Sequence, residues 1–445
     1  MKLRSLGFFF LLFSGLTMGF PEAVLGFLIP REIPPAPVGN RPFMWGVTLS
    51  DYQNDGAHPA MDWAELEASG KLPERSGRSA QFRKFMNEDL DRAASLGLNT
   101  FRTSIEWSRI EPQQGRFDPA EVAHIHRLLD AIKKRGMTPV MALHHFATPQ
   151  WAMAEQADGL AGWENPKIVT HFQRYVQFIA REFGSKIDWY ITFNEPATMI
   201  LGGYMMGWTI PHHFGPVSTV RATTNLINAH VEAYQTIHRL DPVAQVSLAE
   251  YNALFPIAEG GIHYMPSQLL AFVLDKRSGW DGYPRVRYLD YLALHYYGAV
   301  DAGAATSFPV QPWRWGVRPE HMGQIVKAYH RAFHLPILVA ENGFATRNGE
   351  PRKDGWTREA YMVAHIDALQ KLRREGIPIL GYMYWTLTDN YEWGSFDPRF
   401  GLWSIDIRAG DMTRKPTPAV EVYRNIIQNG GVTAALRARY PSPNP

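Results

Sequence analysis

The chain contains no cysteine in its 445 residues. That absence excludes disulfides, thiolate zinc centres, iron–sulfur clusters and a cysteine nucleophile, while fitting any redox compartment. An excess of one charge is missing too. Lys and Arg number 45 against 43 Asp and Glu, a net +2, so no basic surface of the kind that holds nucleic acid is expected. There is no HExxH pair for a zinc hydrolase and no GxGxxG after the first candidate strand for a dinucleotide. GxSxG fails as well, since the segment around Ser404 reads GLWSID. His144-His145 and His212-His213 are adjacent pairs, and neighbours on a strand point to opposite faces. No metal and no cofactor is therefore expected. Past residue 30 no run is long and apolar enough to span a bilayer, and no low-complexity tract divides the chain.

What is present is a folded composition, 45% hydrophobic and 20% charged. The 14 Trp, 19 Tyr and 24 Phe supply a core and stacking surface for a flat, amphipathic ligand. Length alone suggests about three domains, but the order of elements points to one. At the amino terminus, MKLRSLGFFFLLFSGLTMGF places Lys2 and Arg4 before an uncharged run from Ser5 to Pro21. This is the pattern of a secretory signal. No clean A-x-A site follows and AVLGFLIP resumes after Glu22, so residues 1–30 are expected to be a signal peptide or an uncleaved membrane anchor. The protein is then exported (periplasmic or secreted) or anchored, touching membrane only through this segment. Pro-rich REIPPAPVGNRP (31–42) reads as an extended linker, 43–435 as the globular domain and 436–445 as a tail.

Within the body, short β-rich runs alternate with amphipathic helical stretches. The strands are expected at 44–50, 100–107, 138–145, 189–195, 245–251, 291–298, 337–343 and 381–387. A helix such as AEVAHIHRLLDAIKKRG (120–136) lines up Val122, Ile125, Leu128, Leu129 and Ile132 on one face, with Gly136 ending it. Eight strands alternating with helices imply a parallel sheet closed as a (β/α)8 TIM barrel, an α/β fold in a single domain. The surplus length is expected in loops 51–86, 196–230 and 299–324, all on the C-terminal face where such barrels build their sites.

Several strands end in groups that can do chemistry. Strand four ends in Asn194-Glu195-Pro196 and strand seven in Glu341-Asn342-Gly343; strand two carries Arg102, and strand six ends in His295-Tyr296-Tyr297. One such glutamate alone is as readily a strand-closing ion pair. Two, facing each other across one mouth, suit glycosidic bond cleavage, where one carboxyl group donates a proton and the other attacks as an anion. Arg102 beside a carboxylate would hold it anionic, and Tyr297 could hydrogen-bond to it. Glu250 ends strand five without a comparable setting and is read as standing behind the reacting groups or as structural.

From about Phe43 to about Asn425 these residues resemble glycoside hydrolase family 1, the β-glucosidase and β-galactosidase group. FMWGVTLSDYQNDG (43–56), FRTSIEWSRIEP (101–112), LHHFATPQW (143–151), WYITFNEP (189–196), ILVAENG (337–343) and YMYWTLTDNYEW (382–393) are similar to its motifs. The resemblance implies a retaining β-glycosidase that cleaves terminal glucose- or galactose-type residues from small or oligomeric β-glycosides. Glu341 would be the nucleophile and Glu195 the acid/base, supported by Arg102, Asn194 and Tyr297. Gln53, His145, His295, Trp385, Glu392 and Trp393 would bind the sugar. Oligomeric state is left open.

Three departures from the family pattern stand out. Phe146 replaces a Trp, Ala147-Thr148 an Asp-Leu pair, and His295 an Asn. The segment EWGSFDPRFG (392–401) lacks the Ser, Lys and Tyr set that holds a 6-phosphate, so an unphosphorylated sugar is expected, although Arg399 could meet an anion. Glu195, where thioglucosidases carry Gln, points to O-glycosides. Three alternatives stay open: a transglycosidase passing the same glycosyl-enzyme to another acceptor, a non-catalytic sugar-binding relative, and a xylanase or cellulase of another barrel family.

Overall fold

The computed structural model describes residues 42–154, 159–251, 255–257, 261–263, 288–300 and 309–443. The expected signal or anchor (1–30) and the linker up to residue 41 lie outside the described residues. Among the described residues no helix is long and apolar enough to cross a membrane.

Eight strands form the centre: β1 (Met44–Thr48), β2 (Thr100–Ser104), β3 (Thr138–Ala142), β4 (Trp189–Asn194), β5 (Gln245–Tyr251), β6 (Leu292–His295), β7 (Ile337–Asn342) and β8 (Ile379–Trp385). Each pairs in parallel with its neighbours in chain order, and β8 closes on β1, so the sheet is the expected barrel. Alternation along the strands builds two cores. Met44, Val140, Ala142, Ile191, Ala249, Ala293, Leu338, Ala340 and Met383 pack together from strands alone and fill the barrel interior. Val47, Phe101, Met141, Tyr190, Val246, Leu294, Val339 and Tyr382 face outward and join the helices in one large cluster.

The helix Pro119–Lys134 shows how sequence dictates an element. Asp118 caps it through its carboxylate, Pro119 opens it, and Ile125, Leu128, Leu129 and Ile132 form the buried stripe. Gly136 then takes φ 72°, a left-handed turn that ends the helix at little steric cost.

All three expected loops end earlier than the reading placed them. After β4 comes a short helix, Pro196–Ile200, and the long barrel helix begins at Pro216, not beyond 230. Its first turns, PVSTVRATT, bury Ala222 alone and so carry almost no apolar period. The helix after β6 likewise starts at Pro319. Loop 51–86 contains helices Asp51–Asp55 and Asp62–Ala68 before the barrel helix Phe82–Ser95. A long connection also follows β5, most of it outside the described residues. At the carboxyl end, helix Ala434–Arg439 crosses the expected boundary at 435, and Arg437 pairs with Asp367 at 2.8 Å.

Candidate active site

The ends of β4 and β7 carry the two glutamates, and regular alternation would point Asn194 and Glu341 away from the mouth. In β4, Ile191 points into the barrel, Thr192 outward to His230 at 2.7 Å, and Phe193 outward against Phe172. A register irregularity between Ile191 and Asn194 absorbs the extra residue and turns Asn194 back inward. Glu195 then adopts left-handed backbone, φ 46° and ψ 56°, its N–H held by the Ala249 carbonyl at 2.7 Å. In β7, Leu338 and Ala340 face inward, so Glu341 should face out. Register shifts against both β6 and β8 swing it into the mouth.

Arg102, fully buried on β2, ties the two strand ends together. Its guanidinium donates to Glu341 Oε1, to Asn194 Oδ1 at 2.5 Å and to Thr48 Oγ1 at 2.9 Å. Tyr297 Oη donates to Glu341 Oε2 at 2.7 Å. His295 Nδ1 lies 2.8 Å from Glu195 Oε1 and 3.3 Å from Glu341 Oε2. Oxygens of Glu195 and Glu341 come within 4.8 Å of each other. That is the close spacing of retaining pairs, about 5–5.5 Å, well short of the ~6.5–9.5 Å that leaves room for water in inverting ones.

The two carboxyl groups are electrostatically unequal. Burial and then the charge of Glu341 push Glu195 well above the usual carboxylate range. Burial raises Glu341 as well, but Arg102 and the Tyr297 hydroxyl pull it back. Glu341 therefore ionises first, and Glu195 keeps its proton. Burial, with Arg102 and His145 nearby, holds His295 well below the usual histidine range, so its ring is neutral. Glu195, His295 and Glu341 are close enough to raise the question of a cation. The Arg102 guanidinium already occupies a Glu341 oxygen, and a second positive charge there is disfavoured.

Beside this pair stands a polar and aromatic wall. Ser50 Oγ donates to Gln53 Oε1 at 2.9 Å, which orients Gln53 Nε2 toward Glu392 Oε2 at 3.1 Å. Trp385 Nε1 donates to Glu392 Oε1 at 3.0 Å. Burial lifts the Glu392 carboxyl to about 8. His145 lies nearly parallel to Trp385 and to Trp393, with ring centroids 6.2 Å apart in both cases. Trp393 is held by Trp63 at 4.8 Å and by the edge of Phe146 at 4.8 Å.

All eleven expected site residues thus come together around one mouth. Arg399 does not belong to it as an anion site, because its guanidinium donates to the Ile405 carbonyl and faces Asp389 at 3.4 Å. Sequence reasoning missed Thr48 and Ser50, which orient Arg102 and Gln53. Only their inward register on or just after β1 could have signalled them. Glu250, read as standing behind the reacting groups or as structural, is fully buried near Glu195, and burial together with the Glu195 charge raises it well above the carboxylate range.

The sequence profile of glycosyl hydrolase family 1 matches residues 40–260 and 295–432. The chain belongs to glycosyl hydrolase family 1. Within that family it is 26% identical to a β-galactosidase of Pyrococcus woesei and 26% identical to β-glucosidase A of Thermotoga maritima, in each case over 88% of this chain and 98% of the relative. A chloroplastic galactolipid galactosyltransferase of Arabidopsis thaliana is 28% identical over 79% of this chain and 58% of its own length. Among solved structures, a β-glycosidase from Pyrococcus horikoshii superposes with a TM-score of 0.74 at 27% identity, covering 93% of this chain and 98% of that one. Family membership makes the protein a glycoside hydrolase with the retaining arrangement of carboxyl groups, and removes barrel families with different opening and closing motifs.

Proposed function

We propose that the protein hydrolyses terminal β-linked glucose- or galactose-type residues, with Glu341 as nucleophile and Glu195 as acid/base. The observation that carries this is the inequality of the two buried carboxyl groups. Arg102 and Tyr297 hold Glu341 ready to ionise, while Glu195, within 4.8 Å, has no cation in contact among the described residues and keeps its proton. In the first step the Glu341 carboxylate bonds to the anomeric carbon as the glycosidic bond breaks, and the leaving oxygen takes the proton of Glu195. In the second, Glu195 removes a proton from water, whose oxygen bonds to the anomeric carbon and releases Glu341. Asn194, fixed by Arg102, is placed to contact the sugar beside the reacting carbon, and Gln53, Glu392, Trp385, Trp393 and His145 form the sugar wall.

Relatives named β-galactosidase and β-glucosidase at equal identity support either configuration. The engagement of Arg399 with Asp389 and Ile405 supports an unphosphorylated sugar. A glycosyl acceptor other than water is the second reading, favoured by the galactosyltransferase relative. Export or anchoring rests on the charge-then-apolar pattern of residues 1–30.

Glu341→Ala tests the central claim: aryl β-glycoside hydrolysis falls by several orders of magnitude and partly returns with azide, which takes the place of the carboxylate. Wild-type rates in that variant refute it. A panel of β-glucoside, β-galactoside, β-mannoside and 6-phospho-β-glucoside assigns the sugar, and products formed with an added alcohol assign the acceptor. Intact Met1 in a soluble cytosolic fraction refutes export.

A further inference from the structure

Among the described residues, His295 is the one ring whose nitrogen lies within reach of both catalytic carboxyl groups, 2.8 Å from Glu195 and 3.3 Å from Glu341. We propose that His295 is a positioning residue for the double displacement, a neutral donor whose Nδ1–H stands between the two carboxyl groups and follows the negative charge from one to the other. This rests on the glycosidase reading above. In the free enzyme the charge sits on Glu341. Once Glu341 is esterified by the sugar and Glu195 has given up its proton, the charge sits on Glu195. Arg102 and Tyr297 serve Glu341, whereas the side-chain partners of Glu195 are His295 and Thr198. A donor between the pair is the arrangement that meets the charge in both states, and a hydrogen bond to the charged form is the stronger one.

Two observations place the proton on Nδ1. Two carboxyl oxygens converge on that nitrogen, while Nε2, fully buried, has no hydrogen-bond partner among the described residues. The other tautomer would turn a lone pair toward Glu195 and draw its proton away from the leaving oxygen. Burial and the facing Arg102 and His145 keep the ring from charging, and an imidazolium would hold Glu195 ionised and useless as an acid. Among the described residues, the remaining titratable groups facing the pair are Glu250 and Tyr251 from β5, Tyr297 just after β6 and Glu392 after β8. All four are raised by burial, and their environment is common to every variant below.

The test compares kcat/KM against pH for wild type, His295→Asn and His295→Gln on 4-nitrophenyl β-glucoside. An Asn amide nitrogen falls near the place of Nδ1, a Gln amide nitrogen near that of Nε2. Loss of a donor to the carboxylate form raises its pKa. The Gln variant should therefore move the basic limb, set by Glu195, upward by roughly half to one pH unit and lose on the order of 10- to 100-fold in rate. The Asn variant should return the limb to its wild-type position and recover most of the rate. His295→Ala gives the same upward shift and serves if the Gln variant does not fold. An unmoved basic limb in the Gln and Ala variants, or equal shifts for Asn and Gln, overturns the proposal. Wild type without turnover of any β-glycoside would overturn the glycosidase reading itself, whereas turnover with unmoved limbs overturns this inference alone.

Discussion

Replacing Arg102 by Met keeps the length of the side chain and removes its charge. Arg102 and Glu341 are both nearly free of solvent, with side-chain exposures of 1% and 5%. Breaking a buried pair from one side costs about 3–5 kcal/mol when the remaining charge has no partner. At about 1.36 kcal/mol per pKa unit, that corresponds to roughly 2–4 units. Burial already raises Glu341, and Arg102 is the main force opposing it. Without it, Glu341 takes a proton near neutrality and ceases to be a nucleophile. In kcat/KM against pH between 4.5 and 9, the acidic limb should move up by about two units or more, and on the acidic side of both limbs the rate should fall by ~100-fold or more. Stability gives an independent reading. A carboxyl group with a raised folded-state pKa contributes stability that is full below the unfolded value, near 4.5, and is lost as pH rises through the folded value. The variant raises that folded value further, so its deficit in Tm against wild type should be small at pH 5 and grow toward pH 8. An acidic limb that stays in place, or a deficit larger at pH 5 than at pH 8, refutes the role given to Arg102.

Gly343→Ala tests the support of the sugar wall, because a Cβ there would stand 2.1 Å from the Trp385 carbonyl oxygen, a backbone atom that cannot step aside. We expect Trp385 to shift and kcat/KM to fall by on the order of 100-fold, and wild-type kinetics would contradict that packing. Glu106 is fully buried, and burial, then the charge of Asp51, raises its carboxyl to about 8. Its stabilising contribution is therefore lost as pH climbs from about 4.5 to about 8, so Glu106→Gln should narrow the drop in Tm between pH 6.5 and 8.5, with Glu392 leaving part of the slope in place.

The strands were legible because each β-rich run is short and stops at a polar group, as TPVMALHH does at His144. The helix starting at Pro216 was not, because Thr219, Thr223 and Thr224 give its first turns no apolar stripe. The two glutamates were legible through their neighbours, Asn194-Glu195-Pro196 and Glu341-Asn342-Gly343, and periodicity would have misplaced Glu341. With Leu338 and Ala340 facing inward, alternation sends Glu341 outward. The register shifts that reverse it arise from pairing with β6 and β8, strands far away in sequence. The same limit hid Ser50 and Thr48, whose value lies in contacts with Gln53 and Arg102, and the double reach of His295.

Charge at the mouth follows from a simple imbalance. Glu195, Glu250, Glu341 and Glu392 are all buried there, and Arg102 is the cation that meets them. His145 and His295 are held neutral by burial. In a dry site one cation sustains about one carboxylate, so three of the four groups must stay protonated near neutrality. Direct contact with Arg102 decides that Glu341 carries the charge. Glu392, raised to about 8, then meets a neutral sugar as a neutral partner in most molecules at pH 7. Glu250 can lie close to Glu195 without repelling it, because it too stays protonated. The charge can move only once Glu341 has become an ester, and Glu195 is where it goes. On the proposed assignment, the acid of the first step becomes the base of the second because its proton has left with the leaving group and the charge on Glu341 has been lost to the ester.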